Sequence, residues 1–221
     1  MPSVLSTAFF KRSLQLWILV VGHLFAGMFL KDLCEGLEQI DDSQVKGFTV
    51  GLREGSRVFI TWGAPAVMLF VMFIQIQLIR NRPIQWAIDI FGGVLSFRCL
   101  MQFIILNLLL LSRLKAGGLL LLELLLFIPV ITINFGWLYW RIDSAARARG
   151  SSHIRFSEEM GSLDPFDYFH ISAMTLLQFE PSGATPVSRL MKTLFVIHGI
   201  MMLDLVALTL SRAIGLASGG S

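Results

Sequence analysis

Charge is what this chain has least of: only 15% of its 221 residues are charged, where a soluble domain carries about a quarter. Cysteine is scarce as well. The two present are Cys34, in a polar stretch, and Cys99, inside an apolar run; their spacing fits neither a metal site nor a redox pair, and no disulfide between them is expected. The sequence has no HExxH, no GxSxG, no nucleotide-binding loop and no paired cysteines. No enzyme constellation can be assembled from it, and no cofactor is expected. Gly92-Gly93 and Gly117-Gly118 lack the context of a phosphate-binding turn. The net charge is only +3. The basic residues sit mostly between apolar runs, so they read as topology determinants rather than a nucleic-acid surface. Low-complexity tracts and short repeats are missing too.

Apolar sequence fills the chain instead: 55% of residues are hydrophobic and the mean hydropathy is +0.71. Crossing a bilayer as a helix takes roughly 20 such residues, and five runs are read as spans. The first is Ser13 to Leu30, behind Lys11-Arg12. No small-x-small cleavage pattern follows it, so an uncleaved span is expected rather than a signal peptide. An acid-bearing loop, Lys31 to Arg57, separates it from Val58 to Ile79, which Arg80-Asn81-Arg82-Pro83 ends, since proline disfavours helix in the residue before it. The third span is Trp86 to Leu111, closed by Arg113, Lys115 and Gly117-Gly118. The fourth is Leu119 to Trp140, where Trp137, Tyr139, Trp140 and Arg141 read as an interfacial belt with a basic anchor. A polar stretch, Arg141 to Asp167, follows. The last span runs from about Leu190 to Leu210 and stops at Arg212.

Between the last two spans the pattern changes. Phe166 to Phe179 is mildly apolar and too short to cross, and Glu180-Pro181-Ser182-Gly183-Ala184-Thr185-Pro186 behind it is turn chemistry. A segment of this length in a membrane protein reads as re-entrant. Irregular backbone at membrane depth is tolerated where it is buried in protein or lines a wet path. The expected fold is therefore all-α, a membrane protein of about five transmembrane helices plus one re-entrant pore-type helix. Residues 1–115 would form a three-span bundle and 116–217 a pore-like domain, with 218–221 a flexible tail or expression scar.

The stretch Asp167-Tyr168-Phe169-His170-Ile171-Ser172-Ala173-Met174-Thr175-Leu176-Leu177-Gln178-Phe179-Glu180, then Thr185-Pro186, resembles the pore domain of potassium channels, whose pore helix reads roughly Tyr-Phe-Ser-x-x-Thr-x-Thr-Thr-Val-Gly-Tyr-Gly-Asp before a Thr-Pro and an inner helix. The ending Ser211-Arg212-Ala213-Ile214-Gly215 is similar to that of channel inner helices. The resemblance covers about Leu119 to Gly215, and extends to bacterial membrane families with degenerate channel-like segments. It implies a homotetramer around a central axis, monovalent cations as the permeating partner, and a bacterial cytoplasmic (inner) membrane. The Gly-Tyr-Gly core is replaced by Leu177, Gln178, Phe179 and Glu180, and the stretch is about two residues longer than the channel version. Only glycine reaches freely the backbone angles that turn successive carbonyls inward, so a carbonyl filter is not expected. Selectivity would come from side chains, with Glu180 forming a carboxylate ring.

Each of these residues has a plainer alternative. Glu180 reads either as that ring or as a solvated loop acid. Thr175 either faces the path or bonds back to a helix carbonyl, and Phe179 is a packing wedge or a ring. Asp204, midway along the last span, faces a cavity or pairs with Arg98. Arg98 needs a partner, for which Asp204 and Glu123 are the candidates. Glu123 and Asp89 lie near span ends, where Glu123 can snorkel. His198 sits on a different face from Asp204 and reads as helix packing rather than a proton relay. His23 reads as structural, and Gln75, Gln102, Asn107 and Asn134 as hydrogen-bonding glue between helices.

Three functions follow in order: a channel-like tetramer passing cations, a non-conducting scaffold or regulatory subunit, and a small proton-coupled transporter using Asp204, His198 and Arg98. Five spans put the chain ends on opposite sides. The basic residues weakly favour a cytoplasmic N-terminus, which places the pore mouth in the cytoplasm, opposite to potassium channels.

Overall fold

The computed structural model describes residues 13–27, 66–77, 85–111, 117–156, 163–178 and 183–218; of 108–111, 117–120, 122–123, 176–178, 212 and 216–218 it describes the backbone alone. The described chain is mostly helical: α1 (Ser13–Gly27) and α2 (Ala66–Gln77), then α3 (Gln85–Leu111), α4 (Gly117–Arg147), β1 (Ile154–Phe156), α5 (Pro165–Gln178), β2 (Ala184–Pro186) and α6 (Arg189–Ser218). Three stretches, Gln85–Asn107, Leu124–Arg147 and Arg189–Gly215, are long and apolar enough to cross a membrane. That marks an integral membrane protein. The described parts of α1 and α2 are shorter apolar helices. The chain divides into two compact units, Met1–Gly117 and Gly118–Ser221.

In the first unit α1 and α3 run in the same direction. Going up both helices, Gln85 Nε2 donates to Gln15 Oε1 at 3.2 Å, His23 stacks on Phe91 with ring centroids 4.3 Å apart, and Gln102 donates to the Ala26 carbonyl. α2 joins them through Phe70, whose ring lies 5.6 Å from that of Phe91. Cys99 is buried and free. Of the amides expected to glue helices, Gln102 does cross between two of them. Asn107 Nδ2 donates to the Phe103 carbonyl of its own helix.

In the second unit the local chemistry of each helix end is explicit. α4 continues as helix past Trp140 to Arg147. Gly150 then takes a left-handed φ of 78°, and Ser151 N donates back to the Ala146 carbonyl at 3.1 Å. This is a glycine-terminated helix end. Asp164 caps α5: its carboxylate accepts from Phe166 N at 3.3 Å, while Asp167 reaches back to accept from Asp164 N at 2.7 Å. With Pro165 at the first helical position, this is a reciprocal capping box. Ser188 caps α6, its Oγ accepting from Met191 N at 3.2 Å.

α5 lies antiparallel along α4. Phe169 packs over Gly136, and Ser172 Oγ donates to the Thr132 carbonyl at 3.0 Å, so position rises on α5 as it falls on α4. α6 runs the same way. Its approach is fixed where Val187 N donates to the His153 carbonyl at 2.9 Å. Further along, Phe195 packs on Tyr139 at 4.6 Å, and His198 stacks on Phe135 at 4.1 Å.

Three expectations are corrected here. The fourth helix, expected to span Leu119 to Trp140, continues to Arg147. Residues 184–186, read as turn, pair with 154–156 of the polar stretch as an antiparallel two-stranded ribbon in the register Ile154↔Pro186, Arg155↔Thr185 and Phe156↔Ala184. Trp137, Tyr139 and Trp140 are not a lipid-facing belt. All three are buried, and the Tyr139 ring is held against Phe195 and His198 of α6.

Candidate functional site

The best-defined polar constellation in the second unit is centred on Asp143, near the end of α4. Its carboxylate is fully buried and receives four hydrogen bonds. Oδ1 accepts from the backbone N–H groups of His153 at 2.6 Å and Ile154 at 2.9 Å. Oδ2 accepts from Arg147 Nε at 2.6 Å and from the Tyr168 hydroxyl at 2.7 Å. A carboxylate has about four lone-pair sites, and here each is occupied. The group is therefore a lock rather than an acid or base waiting for a substrate.

Helical spacing explains the first partner, since Asp143 and Arg147 are four residues apart and share a face. Arg147 uses its second arm to donate to the Ile154 carbonyl at 2.8 Å, and its guanidinium lies 5.8 Å from the centroid of the Phe156 ring. Phe156 in turn meets Tyr168 edge-on at 5.6 Å. Burial first, and then donation to Asp143, holds the Tyr168 hydroxyl above the ordinary phenol range, so it remains a donor. One carboxylate thus gathers the end of α4, the start of β1 and the first turn of α5. Through β1, the ribbon adds β2 and the start of α6.

The consequence for topology is direct. Tyr168, at the start of the short helix, is bound to Asp143. Thr185, beyond that helix, pairs with Arg155 on the strand whose first residue is bound to the same carboxylate. The chain leaves the end of α4, runs back along it as α5, and is found again at the same end.

Of the residues picked from sequence, Thr175 is fully buried on α5 and its hydroxyl donates to the Ile171 carbonyl at 3.0 Å. Gln178 is the last residue of α5 and Leu177 precedes it; their side chains lie outside the described residues, as do Phe179, Glu180 and the side chain of Glu123. Asp204 is partly exposed on α6. His198 is fully buried, with Nδ1 bonded to the Tyr139 hydroxyl at 2.9 Å. Arg98 donates to a backbone carbonyl, that of His23, at 3.3 Å.

Asp143, Arg147 and Tyr168 were not singled out as a site. Two signals pointed to them: an acid and an arginine at helical spacing just past an apolar run, and a tyrosine opening the short helix. Their convergence depends on the ribbon, whose strands of three residues are too short for an alternating pattern to show. Comparison with protein families, curated proteins and solved structures finds no match to this chain.

Proposed function

We propose that this chain is one wall of a channel-like membrane protein that passes monovalent cations. In this reading it has five spans and one re-entrant helix, α5, and assembles as a homotetramer around a central axis in a bacterial inner membrane. What supports the reading is one observation: the segment from Tyr168 to Thr185 starts and finishes at the Asp143 end of α4. Between those points α5 lies alongside the apolar stretch of α4, at Gly136 and Thr132. A short helix that descends beside a span and whose chain returns to its starting face is the form of a pore segment. The mouth would be lined by Thr175, Leu177, Gln178, Phe179 and Glu180, with the carboxylate of Glu180 in the selective role and Asp204 in the cavity. The test is cation flux into liposomes holding the purified protein, with Glu180→Gln expected to change it. Vesicles tight to potassium, sodium and protons under all conditions would end the proposal.

A second reading, a non-conducting scaffold or regulatory subunit, is favoured by Thr175. Its hydroxyl is spent on its own helix and its side chain is buried within one chain. Particle imaging separates the two: a fourfold ring belongs to the first reading, a monomer or dimer to the second.

A further inference from the structure

The first unit carries a polar seam that the pore reading does not use. His23 of α1 and Arg98 and Gln102 of α3 meet there, and each keeps one buried atom without a hydrogen-bond partner among the described residues: His23 Nδ1, Arg98 Nε and Gln102 Oε1. His23 and Gln102 are 4% and 1% exposed, so bulk solvent does not reach them. Their other atoms fix the chemistry of the open ones. His23 Nε2 lies 3.2 Å from the Phe91 carbonyl and must donate to it, which leaves Nδ1 of the neutral ring as an acceptor. Gln102 Nε2 donates to the Ala26 carbonyl, which leaves Oε1 as an acceptor. Arg98 donates through one terminal nitrogen to the His23 carbonyl, which leaves Nε–H as a donor.

A buried polar atom without a partner costs on the order of 1–3 kcal/mol, and three such atoms along one seam call for a ligand that satisfies both kinds. An anion offers nothing to the two acceptors. A metal cation would meet the positive guanidinium. A small neutral molecule that both donates and accepts fits all three. We propose that ordered water occupies the α1–α3 seam, accepting from Arg98 Nε–H and donating to His23 Nδ1 and Gln102 Oε1. Buried waters take two to four such partners and persist as part of the structure. Arg98 lies in the interior of α3, so this water sits deep in an apolar stretch and helps to solvate its charge there. The assignment stands on the first unit alone and is independent of conduction.

The test is hydroxyl-radical labelling by a brief X-ray pulse, applied to the whole protein in liposomes made up in oxygen-18 water. Water bound beside a side chain makes radicals in place, so a buried residue next to it is labelled. Phe91 and Phe127 are comparably buried, at 3% and 2% exposed, and Phe91 is the one stacked on His23 of the seam. Phe91 and His23 are expected to label several-fold faster than Phe127. Replacing the two acceptors together, with His23→Phe and Gln102→Leu, should bring Phe91 down to the Phe127 rate. Equal rates at Phe91 and Phe127 in the native protein would overturn the assignment, and this comparison needs no variant to fold. Labelling of Phe91 that survives in a folded double variant would overturn it as well.

Discussion

The Tyr168 hydroxyl donates to the Asp143 carboxylate at 2.7 Å, joining the first turn of α5 to the end of α4 across 25 residues of chain. The same oxygen takes Arg147 Nε, and its twin takes two backbone N–H groups of the His153–Ile154 turn. The position of α5 against α4 therefore depends on one buried charge staying ionised and fully bonded.

Removing the charge should cost more than removing any one donor. Asp143→Ala leaves two backbone donors, a tyrosine hydroxyl and part of a guanidinium without an acceptor, and a loss of about 3–5 kcal/mol is expected. Tyr168→Phe removes one of four bonds and should cost about 1–3 kcal/mol. Arg147→Ala should fall below Asp143→Ala, because the arginine side chain is 38% exposed and water replaces part of its bonding. Thermal unfolding in detergent ranks the three. An Asp143→Ala protein as stable as the parent would show that the lock does not hold the fold.

Gly136 is needed for contact rather than for turning. A Cβ at this position would collide with the Phe169 ring, so α5 can reach α4 only because position 136 has no side chain. Small residues admit this kind of close approach between membrane helices. Gly136→Ala should force the helices apart at a cost of about 1–3 kcal/mol. Pairing it with Phe169→Ala should recover part of the loss. A double-mutant cycle on unfolding free energies checks this, and additive effects would mean that the two positions are not coupled.

How far the sequence could be read follows the same physics. The three helices able to cross a membrane are legible, because their signal is apolar length. The start of α5 is legible as well, since the polar stretch gives way to an apolar run at Phe166, one residue from where the helix begins. Facing is where composition falls short. Trp137, Tyr139 and Trp140 look the same to a hydropathy window whether they meet lipid or another helix, and here they are buried. The His23 carbonyl that Arg98 donates to is not legible either, because sequence shows side chains and hides carbonyls. The Asp143 lock was not legible, because two of its four donors are backbone N–H groups, which carry no residue-type signal.

His198 gives a prediction about what is not involved in transport. Its ring is stacked on Phe135 and bonded to Tyr139, which is the contact set of a packing residue. His198→Phe keeps the stacking and loses one hydrogen bond, worth about 0.6 kcal/mol on the membrane scale. The variant should fold with a small loss of stability and show the same pH dependence of flux as the parent. A lost or shifted pH dependence would bring the proton-coupled reading back.

The return of the chain to one face can be tested by labelling. In a protein whose Cys34 and Cys99 have been replaced, single cysteines go at Phe166, which is 74% exposed at the start of α5, and at Lys192, exposed in the first turn of α6. A thiol reagent that cannot cross the bilayer is added to sealed vesicles from one side and then, after lysis, from both. The Asp143 lock and the ribbon bring both positions to the same end of α4, so the two cysteines should react together from a single side. A third cysteine near the far end of α6, at Ala213, should react only from the other side, because α6 is long enough to cross. Whichever side labels Phe166 also fixes the orientation that the basic residues leave weakly biased. Should Phe166 and Lys192 label from opposite sides, α5 would have to be part of a crossing, and a pore segment would no longer be a possible reading of this chain.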